Sequence, residues 1–82
     1  MKIYTLTIIK ETQELNAEVN TTLYANAEDA IEAYNKAFDE AKAKFENYEE
    51  DDEIATDTPY RWWSIYDPFD RITIELDTKE VI

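Results

Sequence analysis

The stretch Asn26–Tyr48, NAEDAIEAYNKAFDEAKAKFENY, decides how the rest of this 82-residue chain is read. Its apolar residues Ala27, Ala30, Ile31, Tyr34, Ala37, Phe38, Ala41, Phe45 and Tyr48 recur at steps of three and four, which aligns them on one side of an α-helix. Glu28, Glu32, Asn35, Asp39, Lys42 and Glu46 fall on the other side. Asn26 suits the N-cap, because its side-chain oxygen can accept from a first-turn N–H, and Asp29 stands where a capping-box partner belongs. Glu32 with Lys36 and Glu40 with Lys44 support the solvent side as acid-before-base pairs. A helix of about 22 residues reaches roughly 33 Å, against roughly 26 Å for an eight-residue strand. The last turn, with Phe45 and Tyr48, is therefore expected to overhang the sheet beneath it.

Working outward, residues 2–10 (KIYTLTIIK) are rich in β-branched residues and alternate Tyr4, Leu6 and Ile8 against Ile3, Thr5, Thr7 and Ile9. Both faces are partly apolar, the mark of a central strand. Lys10 to Glu14 is a polar turn, and Leu15 to Ala25 sets Leu15, Ala17 and Val19 against Asn16, Glu18 and Asn20, a second strand with one wet face. After Pro59, Tyr60 to Tyr66 (YRWWSIY) and Arg71 to Asp77 form another strand pair, joined by Asp67-Pro68-Phe69-Asp70 with Asp and Pro where a type I turn wants them. Thr78 to Ile82 are expected to fray.

The predicted fold is α+β: a ββαββ chain, one domain over residues 1–82, with one long helix packed on one face of a four-stranded, mainly antiparallel sheet. The first and last strands are expected side by side and parallel in the middle. Leu6, Ile8, Val19, Ile31, Tyr34, Phe38, Trp63, Ile65, Ile72 and Ile74 make the expected core. In layout, with an Ala-rich helix between hairpins and the aromatic strand Trp62-Trp63-Ser64-Ile65-Tyr66-Asp67 before the last turn, the chain resembles the immunoglobulin-binding domains of proteins G and L. That resemblance implies architecture alone, since those domains are shorter and lack an acidic insert like Glu49 to Asp57.

Composition narrows function mainly by exclusion. Hydrophobic residues make up 44 % of the chain, enough for one small core, but 20 Asp and Glu against 8 Lys and Arg leave a net charge of -12. Such charge repels phosphates and anionic lipid, so no direct nucleic acid, no membrane and a basic protein partner are expected. Cys, His and Gly are all absent. Thiolate and imidazole chemistry, Cys/His metal sites and Gly-rich phosphate loops are thereby closed, and neither an enzyme nor a cofactor is expected. The run from Ile3 to Ile9 is too short and too polar for a signal peptide or a membrane span, which points to a soluble, cytoplasmic protein, expected as a monomer.

Two stretches carry the candidate site. Glu49, Glu50, Asp51, Asp52, Glu53 and Asp57 fall in nine positions without a basic residue and hold half of the net charge. They read either as a solvated loop that keeps the protein soluble or as a partner site whose carboxylates imitate a phosphate backbone. An EF-hand loop is not matched, as the alternating ligands and the glycine are missing. Beside them, Tyr60 to Phe69 holds two Trp, two Tyr and one Phe. Successive strand residues face opposite ways, so Trp63 and Ile65 on the core side leave Tyr60, Trp62 and Tyr66 on the open face. There they either cover a one-layer sheet or serve as binding anchors.

Small size, strong acidity, missing catalytic residue types and an aromatic patch resemble the small anti-restriction and anti-CRISPR proteins of phages and mobile elements. The resemblance implies a non-catalytic DNA-mimicking inhibitor that occupies a basic nucleic-acid-binding surface of its target. The rival readings are a structural or interaction domain whose charge serves solubility, and a carboxylate-based enzyme.

Overall fold

The computed structural model describes residues 1–12, 16–54 and 60–80. Asn26 caps the helix as its side chain permits: its Oδ1 accepts from the Asp29 N–H at 2.9 Å, and its Nδ2 donates back to Asp29 Oδ2 at 2.9 Å. The helix, α1, covers Ala27–Lys42. Its 16 residues give about 24 Å, so it matches the strands and does not overhang them. The expected end at Tyr48 is six residues too long. Lys44 N–H bonds the Ala41 carbonyl and Phe45 N–H the Lys42 carbonyl, so tightened three-residue turns close the helix. No glycine is present to supply a left-handed stop, and the acids that follow oppose the helix dipole.

Among the described residues, five strands form one antiparallel sheet: β1 (Lys2–Glu11), β2 (Ala17–Tyr24), β3 (Glu49–Ile54), β4 (Arg61–Tyr66) and β5 (Arg71–Glu80), in the order β2-β1-β5-β4-β3. The extra member is β3, which is the acid run itself. Asp and Glu are poor strand formers, but here β4 offers a complete ladder, pairing Asp52 with Trp63 and Glu50 with Ile65. Extension also eases repulsion, because neighbouring acids turn to opposite faces and same-face carboxylates stand about 6.7 Å apart. The solvated loop expected for Glu49 to Glu53 is thus an edge strand, while Asp57 lies outside the described residues.

That one strand corrects the topology as well. Each added hairpin strand reverses chain direction, so β5 arrives antiparallel to β1, with Leu6 opposite Leu76 and Ile8 opposite Ile74. The expected parallel pair does not form, and β5 takes the centre while β1 stays interior beside it. Residues 78–80, expected to fray, extend β5 against Lys2, Ile3 and Tyr4. The turn at Asp67 is built by its carboxylate, whose Oδ1 accepts from the Phe69 and Asp70 N–H groups at 2.8 and 2.7 Å.

The core lies between α1 and the sheet face carrying the even residues of β1 and β5. Leu6, Ala30, Tyr34, Ala41, Trp63, Ile65, Ile72, Ile74 and Leu76 are buried, and Tyr4, Ile8, Ile31, Phe38 and Phe45 pack partly against them. Small Ala30 and Ala41 let the helix approach closely, and the Phe38 ring lies tilted against Trp63 with centroids 4.3 Å apart and planes at 48°. Val19 departs from expectation, being 60 % exposed. It pairs with Ile9, which puts it on the open face, and β2 has no neighbour on its outer side. Leu15 falls outside the described residues.

Candidate functional site

Strand parity distributes the candidate residues over two faces. Glu49, Asp51 and Glu53 stand opposite Tyr66, Ser64 and Trp62, so they share the open face with the aromatic side chains of β4. Glu50 and Asp52 point the other way, beside Ile65 and Trp63 on the helix side. Lys42 at the end of α1 reaches Glu50 at 3.4 Å while its ammonium lies 5.1 Å from the Phe38 ring, which ties the acidic strand to the helix.

Tyr60, Trp62 and Tyr66 do lie on the open face, but they are half-buried and not fully free. Between Trp62 and Tyr66, and on the same face, Ser64 is completely buried and its hydroxyl lies 3.2 Å from that of Thr73. The burial of Ser64 between them is consistent with the aromatic side chains covering small residues of their own sheet. The one serine of the chain is unavailable as a nucleophile.

Two more carboxylates belong to this surface. Glu75 pairs with Trp62 and accepts from the Tyr60 hydroxyl at 3.5 Å, and Asp77 follows two residues on along β5. The alternation of Ile72, Ile74 and Leu76 with Glu75 and Asp77 was the signal for them. Arg71 stands 4.5 Å from the Tyr66 ring and is the cation among these residues. The local field is negative enough to register on the phenols. Burial, then Asp51 and Glu49, raise the Tyr66 pKa above its ordinary value, and burial, then Glu75, Glu53 and Asp77, do the same at Tyr60.

At one corner a cleft of about 480 Å³ opens between Asn47, Tyr48, Glu49, Tyr66, Asp67 and Pro68. On the helix side, Tyr34, Asn35, Phe38, Asp52, Arg61 and Trp63 line a second hollow of about 280 Å³. Among the described residues no group of three or more acids is arranged to hold a metal ion. Among them, too, no helix is long and apolar enough to cross a membrane. No protein-family model matches the chain, and no curated protein is significantly similar to it.

Proposed function

We propose that the chain is a non-catalytic, acidic protein-binding inhibitor of the phage anti-defence type, acting in the cytoplasm by occupying a basic nucleic-acid-binding surface. The observation that carries the reading is the acidic run paired as an edge strand beside half-buried aromatic side chains. Glu49, Asp51 and Glu53 repeat at about 6.7 Å along one face, a regular row of negative charge such as a phosphate backbone presents. Charge of this kind mainly speeds association, and the rings of Trp62 and Tyr66 slow dissociation.

The test uses DNA-binding effectors of restriction and CRISPR systems, each loaded with labelled DNA and titrated with the protein at several salt concentrations. Release of DNA from an effector, weakened by salt, is expected. Neutralising Glu49, Asp51 and Glu53 together should slow association and flatten its salt dependence. Trp62→Ala should weaken the complex by about 2 kcal/mol, roughly thirtyfold. Failure to release DNA from any effector would count against the proposal.

The position of β3 also favours a second reading, in which the acids serve solubility. A charged edge strand blocks pairing with other chains. Under that reading the neutralised variant aggregates, and no binding is lost because none existed.

A further inference from the structure

The two edges of the sheet are opposites. β3 carries five acids, whereas β2, AEVNTTLY, has Glu18 as its single charge and exposes every residue except Tyr24. Lys2 and Lys10 of β1 balance Glu11 and Glu18, so the β1–β2 side is locally neutral within a chain of net charge -12. Val19 and Leu23, 60 % and 64 % exposed, lie two positions either side of Thr21 on the open face. A long edge strand with a single charge and exposed apolar residues is a template for another strand.

The ladder fixes which groups that template offers. Thr12 N–H bonds the Asn16 carbonyl at 3.0 Å, and Glu11 pairs with Ala17 in an unbroken register up to Tyr4 with Tyr24. It follows from the antiparallel pattern that even residues of β2 bond to β1, while Ala17, Val19, Thr21 and Leu23 turn their N–H and C=O groups outward. An added antiparallel strand must therefore match outward groups with outward groups.

We propose that a second copy of this chain supplies that strand, forming a two-fold symmetric dimer in which β2 pairs with β2 about Thr21. This arrangement sets Thr21 against its own equivalent and Val19 against Leu23 twice, so that the exposed apolar residues cover each other. It makes about six new N–H···O=C bonds and places both helices on the same side of a ten-stranded sheet. The two acidic edges come to lie about 43 Å apart, nine strand spacings and roughly five Debye lengths at physiological salt. This orientation keeps the two acidic strands far apart. The acids of β3 block pairing at the far edges, so assembly closes at two and does not run on into a filament. The expectation of a monomer gives way to this geometry, which does not depend on the proposed inhibitory function and leaves both acidic edges free.

Eight residues on each side make a small junction, below about 1,200 Å², and a dissociation constant in the micromolar range is expected. Sedimentation velocity of the full chain between about 1 and 500 µM brackets that range. A dimer should appear as concentration rises, and a monomer throughout would overturn the proposal. Thr21→Pro removes an outward N–H, which edge strands tolerate, together with the exposed hydroxyl contact to Thr7 Oγ1 at 3.3 Å. It should raise the dissociation constant at least about tenfold with the circular dichroism spectrum unchanged. The register is tested separately with Val19→Lys and Leu23→Glu chains. Each alone should dimerise weakly, while their mixture should form a heterodimer, because each substituted position then faces the other's opposite charge. If the mixture associates no better than either chain alone, the pairing about Thr21 is wrong, whatever the fate of the proline variant.

Discussion

Replacing Trp63 by alanine should cost far more stability than replacing its neighbour Trp62. Trp63 is 3 % exposed, packs tilted against Phe38 with centroids 4.3 Å apart and stands across from fully buried Ile74. Truncation leaves a cavity beneath α1, and a buried Trp→Ala change costs about 3–5 kcal/mol. Loss of the aromatic pair places it toward the upper end of that range. A domain of this size has about 4–12 kcal/mol of total stability, so a loss of about 4 kcal/mol lowers Tm by about 15–30 °C. Trp62 faces the other way, half-buried between Glu53 and Glu75. Its alanine variant loses partial burial without opening the core and should cost about 1–2 kcal/mol. Urea titration and thermal melts followed by far-ultraviolet circular dichroism measure both. If Trp62→Ala proved the more damaging, β4 would be shifted by one residue and the open face would have to be redrawn around Arg61, Trp63 and Ile65.

Two further expectations concern the helix and alkaline pH. Asn26→Ala removes the cap on the Asp29 N–H and should lower stability by about 1 kcal/mol, read as a lower urea midpoint at constant slope. Burial holds the Tyr34 phenol above its ordinary value, with Arg61 pulling it down and Asp52 pushing it up. The folded state therefore keeps this proton longer than the unfolded chain does. Its contribution to stability is complete below the unfolded value near 10 and is lost as pH rises through the folded value. Tyr34→Phe, which keeps the ring but cannot ionise, should flatten the loss of stability above pH 10 in melts across that range.

What the sequence determined by itself is what short-range chemistry controls. The Asn26 cap and the start of the helix depend on groups within one turn, and the opposite facing of Trp62 and Trp63 depends only on strand pleating. The makeup of the candidate surface, carboxylates beside aromatic side chains, was equally visible in Glu49 to Tyr66. Tertiary structure decided the rest. Little in EEDDEI favours a strand until β4 presents its ladder, and without that strand neither the direction of β5 nor the extended row of acids at the sheet edge follows. Val19 was misplaced for a related reason: alternation gives two faces but not which one is covered, and only its pairing with Ile9 settles that. Backbone hydrogen bonding across distant segments can override local propensity because even an edge strand such as β3 satisfies the backbone groups of alternate residues at once, and it is a property of the assembled sheet.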